Sequence, residues 1–256
     1  IYYPLSTLML AGIREILIIC TPDHIGLFKS LLGDGNQWGL DICYEIQIEP
    51  KGLVDAFKIG KNFIDNNPCA LILGDNIFHA NDMVSILSKA NNNDSGAKVF
   101  AYRVVDPHRF GIVEFDNDHN VISIEEKPKH PKSNYAVTGL YFYNSDVCKF
   151  AEEIMPSSRG ELEITDLNNI YLQQKNLSVE LMGRGVAWLD TGTHESLLQA
   201  GSFISTLQNR QGLMIGCPEE IAYTNDWIDS DQMYCLASEI SSPNYKKYLL
   251  DILDKE

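Results

Sequence analysis

Two kinds of hydrophobic pattern alternate along the first hundred residues. Apolar residues run almost without interruption through 15–20 and 71–73, and residues 41–47 alternate between apolar and polar. Between these segments, apolar residues recur at helical spacing, as at Leu53 and Phe57. Continuous runs are typical of strands buried on both faces, whereas a 3.6-residue period is typical of helices. Strands and helices that alternate in such short units predict a largely parallel, three-layer α/β sheet.

The pattern changes in the second half of the chain. Residues 111–115 and 121–125 flank a polar turn, which predicts a β-hairpin inserted between the α/β units. From residue 193 onward the apolar spacing is helical to the end. We therefore predict an α/β domain over residues 1–192 and a helical C-terminal extension over residues 193–256, which we expect to make oligomer contacts.

Composition and charge narrow the class of protein. The chain has 256 residues, of which 45% are hydrophobic and 21% are charged, and its formal net charge is -15. Such a charge argues against nucleic acid or an anionic membrane as a partner. No apolar run is long enough for a membrane helix. The six cysteines show no C-x-x-C spacing, so we interpret them as reduced thiols of a cytosolic protein.

Two aspartates each follow a short apolar strand. Asp75 comes directly after Leu71–Gly74, and Asp190 comes after Val186–Leu189. Folds of this class hold ligands beyond the carboxyl ends of their strands, so both carboxylates could share one Mg²⁺ if the strands end at the same edge. For a single Asp, a turn or a helix N-cap is the commoner role. The metal hypothesis therefore depends on the pair.

Two cationic residues are candidates for binding a phosphate group. Lys127 follows Glu126 at the end of a predicted hairpin strand, where the lysine offers a point charge and the glutamate can accept hydrogen bonds from sugar hydroxyls. A solvated, charged strand end explains this segment equally well. Arg159 lies in a polar loop ahead of a helix, and this loop is also explained as a helix start capped by Thr165.

A loop after the second predicted strand is a candidate for binding a nucleotide base. Gln47 offers a donor and an acceptor to a base edge, and Gly52 permits a close approach of the backbone, with Leu53 beside it. An ordinary βα loop is the alternative. Other chemistries lack their motifs, because the chain has no H-E-x-x-H, no G-x-S-x-G and no Walker A sequence.

The order of these motifs, and the sequence segments that contain them, resembles the glucose-1-phosphate thymidylyltransferases of bacterial dTDP-sugar synthesis. The matching segments extend over nearly the whole chain through Asn225. They are found at residues 1–13, 73–76, 125–128, 133–141, 159–166 and 188–194.

This resemblance implies a fold and a reaction. The fold is the mixed, mostly parallel sheet of the nucleotide-diphospho-sugar transferases. The reaction joins dTTP and α-D-glucose 1-phosphate to give dTDP-glucose and pyrophosphate, by in-line displacement at the α-phosphorus with Mg²⁺ as cofactor. The family works in the cytoplasm in dTDP-rhamnose synthesis, forms homotetramers, and is inhibited by dTDP-rhamnose.

The resemblance also implies roles for individual residues. Asp75 and Asp190 hold the metal, and together with Lys127 they form the catalytic set. Lys127 binds the sugar phosphate with Arg159. The remaining implied contacts are with the nucleotide (Gln47, Gly52, Leu53), with the glucose (Asn76, Gly111, Glu126, Val137), and at the wall of the site near Asp190 (Trp188).

One departure from the family pattern concerns the start of the chain. The family begins with a strand and a glycine-rich G-G-x-G-T-R loop that wraps the triphosphate, and this sequence starts at Ile1, downstream of that loop. Backbone donors and cations around a phosphoryl group contribute strongly to its transfer. We therefore expect the 256-residue chain alone to be impaired, and we expect an unpaired strand edge inside the sheet.

Three alternatives compete with this hypothesis. The chain could be a nucleotidyltransferase for UTP or for another sugar phosphate. It could also be a non-catalytic regulatory or sugar-nucleotide-binding relative, although such a protein has less need of two metal carboxylates. A hydrolase using Glu161 and Glu163 is the weakest, because residues two apart point to opposite sides of an extended chain.

Overall fold

The computed structural model describes residues 1–92, 96–118 and 120–254. The polar loop expected at 91–96 and the hairpin turn expected at 116–120 fall partly outside these ranges. The strands are β1 (Glu15–Cys20), β2 (Asp41–Ile46), β3 (Cys69–Ile72), β4 (Asn76–His79), β5 (Ala97–Arg103), β6 (Gly111–Phe115), β7 (Val121–Glu126), β8 (Tyr135–Tyr143), β9 (Leu177–Leu181) and β10 (Ala187–Asp190). The helices are α1 (Tyr2–Leu10), α2 (Pro22–Leu32), α3 (Asp55–Ile59), α4 (Lys61–Ile64), α5 (Met83–Asn91), α6 (Val147–Glu153), α7 (Ile164–Gln173), α8 (His194–Gln211), α9 (Pro218–Thr224), α10 (Ser230–Glu239) and α11 (Pro243–Leu253).

The long strand β8 is the centre of the main sheet. It pairs with β5 along one edge. Along its other edge, its first half pairs with β6 and its second half with β3, through the registers Ala136↔Ile112 and Leu140↔Ile72. All three neighbours run antiparallel to β8. The main sheet is mixed, as predicted, with β5 and β9 as its parallel pair, and β1 and β2 form a separate parallel pair. The expectation of mostly parallel pairing is wrong, because β8 enters after the inserted hairpin and reverses the chain direction.

Helices cover both faces of this sheet. Tyr141 and Tyr143 of β8 point into a core shared with α6 and α7. The alternate residues Leu140 and Phe142 point into a second core that includes α5. Because successive side chains of a strand point to opposite faces, one apolar strand serves two cores. This arrangement is the predicted three-layer architecture.

The C-terminal helices pack against the start of the chain. Ile221 of α9, Met233 of α10 and Leu249 of α11 share a buried cluster with Met9 of α1 and Ile16 of β1. Capping boxes begin α8 and α10, which satisfy N–H groups of their first turns. The helical region predicted after residue 193 is therefore present. A domain boundary at 192/193 and its use for oligomer contacts stay predictions.

Two strand edges face one another across a groove. Within the described ranges, β1 pairs with β2 and with no other strand, and β3 pairs only with β8. Both line a cavity of about 410 Å³, together with residues of α3 and α4. Leu17 and Ile19 of β1 are half-buried there, although their continuous apolar run predicted burial on both faces. This groove is the unpaired edge that the sequence led us to expect.

Two smaller features differ from the predicted elements. The helical spacing seen at Leu53 and Phe57 predicted a helix in this segment, and the structure divides that segment at Gly60 into two short helices, α3 and α4. The short strand β4 was not predicted, and it pairs antiparallel with β10 in the register Asn76↔Asp190. That pairing places the two candidate metal-binding segments side by side. No helix among the residues described is long and apolar enough to span a membrane.

Candidate active site

A cavity of about 210 Å³ opens where β3, β4, β6, β7, β8 and β10 converge. Most of the residues predicted for the site line it. They are Leu53, Asp75, Asn76, Gly111, Glu126, Lys127, Val137, Trp188 and Asp190. The remaining lining residues are Leu73, Arg109, Phe110, Thr138, Gly139, Tyr141, Ile164 and Thr165.

Asp75 and Asp190 meet at one edge of this cavity. The backbone N–H and the hydroxyl of Thr191 donate to the Asp75 carbonyl oxygen at 2.9 and 2.7 Å, so the two segments are joined directly. The Gly192 N–H donates to Asp190 Oδ1 at 2.9 Å. A Cβ added to Gly192 would lie 3.0 Å from Asp190 Oδ1 and 3.3 Å from Asp75 Oδ2. The two carboxylates therefore border one small space that this glycine leaves open.

That space suits a hard divalent cation. Mg²⁺ is commonly bound through one or two carboxylates, with water and substrate phosphates completing its ligands. Asp75 Oδ2 and Asp190 Oδ1 are the oxygens nearest to the space. No cluster of three or more His, Cys, Asp or Glu residues that could hold a metal occurs in the described part of the chain. Two carboxylate oxygens around one space fit a hard divalent cation whose other ligands come from water or a phosphate group.

Asn76 connects the metal side of the cavity to its wall. Its side chain is buried, with 3% exposed. Its Oδ1 accepts from Trp188 Nε1 at 2.6 Å and from the Gly139 N–H at 3.1 Å, and its Nδ2 donates to Asp75 Oδ1 at 2.8 Å. Both acceptor sites are used, and one N–H remains for a ligand. Asn76 therefore orients the Asp75 carboxylate in addition to facing the cavity.

Aromatic rings hold Trp188 in place. The Trp188 ring lies 5.2 Å from Phe110 and 5.8 Å from Tyr102, measured between centroids. Such tilted and edge-to-face pairs are favourable for aromatic rings. Only 8% of Trp188 is exposed. The wall of the cavity beside Asp190 is therefore rigid and apolar.

Glu126 and Lys127, at and just beyond the end of β7, also line the cavity. Lys127 has a φ of +43°, a conformation that is uncommon for a residue other than glycine, and its N–H donates to the Phe110 carbonyl at 3.0 Å. Glu126 Oε2 accepts from the Thr165 hydroxyl at 2.6 Å. A Cβ at Gly111 would lie 3.1 Å from each of those two oxygens. A glycine at 111 therefore leaves room for the Glu126–Thr165 hydrogen bond.

Three predicted residues do not line this cavity. Arg159 reaches its rim through Glu126, at 3.8 Å between Nη1 and Oε1, and also pairs with Glu163 at 3.3 Å. Gln47 donates to the Asp55 carboxylate at 3.1 Å. Gly52 has a φ of +107° and packs against the backbone of Leu162. Gln47 and Gly52 lie in the loop that also carries Leu53, which does line the cavity.

Sequence reasoning missed several residues of the site. Arg109 lies 3.5 Å from Asp190, measured from Nη2 to Oδ2. Thr165 was interpreted as a helix cap and instead binds Glu126. Burial raises the pKa of Tyr141, and the Glu126 carboxylate raises it further. The segment Asp106–Phe110 precedes the predicted hairpin directly, and its arginine beside an aromatic residue was the available signal for Arg109.

Comparisons with known proteins agree with this geometry. Residues 1–206 match the nucleotidyl transferase family. A glucose-1-phosphate thymidylyltransferase of Xanthomonas campestris pv. campestris strain B100 is 55% identical over 249 residues, which are 97% of this chain and 84% of that protein. The protein of the same name from Neisseria meningitidis serogroup A is 52% identical over 255 residues, covering 100% of this chain and 88% of the relative.

Solved structures share the fold. A Bacillus anthracis protein named as a glucose-1-phosphate thymidylyltransferase, crystallised with sucrose, superposes with a TM-score of 0.73 at 41% identity, covering 79% of this chain and 81% of its own. A UDP-glucose pyrophosphorylase bound to UDP-glucose gives 0.70 at 21% identity, covering 80% and 86%, which shows the fold alone. The sequence matches are long and cover most of both chains. The chain therefore belongs to the nucleotidyl transferase family, among the glucose-1-phosphate thymidylyltransferases.

Proposed function

We propose that this site transfers a thymidylyl group from dTTP to α-D-glucose 1-phosphate with Mg²⁺, giving dTDP-glucose and pyrophosphate. The observation that carries the proposal is the meeting of Asp75 and Asp190 at a cavity that also holds Lys127. A paired-carboxylate site and a separate cation are what two phosphate-bearing substrates require. The names of relatives that are 46–55% identical supply the substrate pair.

The chemical step needs no covalent enzyme intermediate. A phosphate oxygen of glucose 1-phosphate attacks the α-phosphorus of dTTP and forms the new P–O bond. The bond from the α-phosphorus to the bridging oxygen breaks in line, and pyrophosphate leaves with that electron pair. Mg²⁺, when bound, neutralises charge on the phosphates. The protein contributes mainly by positioning both substrates and by balancing charge.

Each side of the cavity has its own task in this proposal. Lys127 holds the phosphate of the sugar, and Arg159 supports it from the rim. Glu126, fixed by Thr165, accepts hydrogen bonds from sugar hydroxyls. The free N–H of Asn76 donates to the same sugar. Further contacts are proposed with the sugar for Gly111 and Val137, with the nucleotide for Gln47, Gly52 and Leu53, and at the wall for Trp188.

The rate of the 256-residue chain alone should be low. Among the described residues that line the cavity, Arg109 and Lys127 are the only cations. The leaving pyrophosphate carries several negative charges, and few groups in this cavity can balance them. Removing a single charge-stabilising donor typically costs about a hundredfold or more in such reactions.

Product analysis with competing nucleotides tests the proposal. The chain is incubated with Mg²⁺, glucose 1-phosphate and equal dTTP and UTP, and the sugar nucleotides are separated. We expect slow formation of mainly dTDP-glucose, which is lost in the matched Asp190→Asn variant. Mainly UDP-glucose would support a different base specificity. Binding of dTDP-glucose without any turnover would favour the non-catalytic alternative.

We also propose that the chain acts in the cytoplasm as a homotetramer and is inhibited by dTDP-rhamnose. The exposed apolar side chains Leu197 and Leu198 on α8 are available for contacts between subunits. Light scattering during gel filtration measures the mass, and inhibition is measured by titrating dTDP-rhamnose into the assay. A monomer at working concentration would contradict the oligomer.

A further inference from the structure

Arg109 is the one charged residue among those described as lining the cavity that has no assigned task. It ends a short 3₁₀ turn, Pro107–Arg109, one residue before β6. Its guanidinium lies over the Phe110 ring, 5.4 Å from the centroid, and Nη2 lies 3.5 Å from Asp190 Oδ2. An arginine at that place faces the same carboxylate that the proposed metal needs.

The two oxygens of Asp190 face different partners. Oδ1 accepts from the Gly192 N–H and borders the space shared with Asp75. Oδ2 faces Arg109. Two carboxylates around one space repel each other, and a nearby cation offsets this repulsion. A divalent ion in that space would itself offset the repulsion between the two carboxylates. It would therefore weaken the attraction between Asp190 and the guanidinium.

The position of Arg109 permits such a release. Its side chain is 46% exposed, against 23% for Asp190, so the guanidinium can turn while the carboxylate stays fixed. The contact between Nη2 and Oδ2 is an ion pair at 3.5 Å that is partly exposed to solvent, and such pairs are weak. A guanidinium that leaves Asp190 stays at the cavity lining, where a phosphate-bearing ligand would accept its N–H groups.

We propose that Arg109 is an exchangeable counter-ion of Asp190. It pairs with this carboxylate while the metal is absent, and it pairs with a phosphate group of the nucleotide or of pyrophosphate once the metal is bound. This inference rests on the proposed metal site. In the free protein, Arg109 competes with the metal for Asp190. In the protein with metal and nucleotide or pyrophosphate bound, Arg109 binds a phosphate group.

Two binding measurements on Arg109→Gln test the exchange. Mn²⁺ binding without nucleotide is followed by electron paramagnetic resonance, and pyrophosphate binding at saturating Mg²⁺ is followed by calorimetry. We expect Arg109→Gln to bind Mn²⁺ about two- to fivefold more tightly, as for loss of a partly exposed ion pair, and to bind pyrophosphate several-fold more weakly. Arg210→Gln, at the exposed end of α8, removes the same charge elsewhere and should change neither.

The outcomes separate this inference from the metal site itself. A merely structural role of Arg109 would not tighten metal binding. The exchange is overturned if Arg109→Gln binds Mn²⁺ with the affinity of the parent chain. It is also overturned if the parent chain binds no pyrophosphate, or if Arg109→Gln binds pyrophosphate as tightly as the parent chain. If the parent chain and Arg109→Gln both fail to bind Mn²⁺, as an Asp190→Asn control should, then the proposed metal site fails too.

Discussion

The side chain of Asn76 accepts a hydrogen bond from Trp188 Nε1 at 2.6 Å, across the antiparallel pair β4–β10. The same side chain donates to Asp75 at 2.8 Å. The position of a candidate metal ligand is thus tied to the wall of the cavity through one buried amide. A change at Asn76 should therefore alter both folding stability and the site.

Replacing Asn76 by Leu should be costly. The substitution leaves the Gly139 N–H and Trp188 Nε1 without their acceptor in a buried place, and it removes the donor to Asp75. Unsatisfied buried groups cost about 1–3 kcal/mol each, so we expect unfolding free energy to fall by about 2–4 kcal/mol in urea titrations. Asn244→Leu, on the exposed start of α11, should change it by less than about 0.5 kcal/mol. Equal stability of the two variants would contradict the proposed bridge.

Gly192→Ala tests the space between the two carboxylates. The added methyl group would lie within 3.3 Å of both Asp75 and Asp190, where the metal is proposed to bind. We expect Mn²⁺ affinity to fall at least tenfold while the melting temperature changes little. Gly201→Ala within α8 meets no atom within 4 Å and should slightly stabilise the helix without changing metal affinity. Unaltered Mn²⁺ affinity in Gly192→Ala would contradict a metal site between Asp75 and Asp190.

Thr165→Val tests whether Glu126 must be held in place. The change keeps the shape of the side chain and removes the hydroxyl that donates to Glu126 Oε2. A hydrogen bond to a charged group contributes about 1.5–3 kcal/mol. We expect kcat/KM for glucose 1-phosphate to fall about tenfold or more. Thr206→Val, on an exposed position of α8, is the control. Normal kinetics in Thr165→Val would contradict a role of Glu126 in binding the sugar.

The open groove should be visible in hydrogen exchange. Amides of β5 have strand partners on both sides, in β8 and β9. Alternate amides of β1 and β3 face the groove without a strand partner among the described residues. We expect these amides to exchange orders of magnitude faster than those of β5, because unpaired backbone groups open with little cost. Equal protection across β1, β3 and β5 would show that the groove is closed in solution.

Much of the architecture followed from local patterns. The bounds predicted for Glu15–Cys20 and for the hairpin strands agree closely with the structure, because strong periodicity and turn residues define them. The strand Asn76–His79 escaped prediction since it is four residues long and its pairing partner lies more than a hundred residues away. Short strands of this kind are stabilised by tertiary pairing and not by their own propensity.

The candidate site was predictable in part. Residues at strand ends, such as Asp75 and Asp190, are marked by an apolar run followed by a carboxylate. The partners that orient them are not marked, because Arg109 and Thr165 contact residues 81 and 39 positions away. The direction of β8 was likewise decided by the inserted hairpin and not by its own sequence pattern.

Calorimetry with dTDP-glucose tests the central claim most directly. The chain and its Asp190→Asn variant are each titrated with and without Mg²⁺. The proposed site predicts binding that strengthens with Mg²⁺ in the parent chain and loses this dependence in the variant. Binding that is equal in all four titrations, or absent from a chain shown to be folded, would contradict a two-carboxylate metal site for sugar nucleotides.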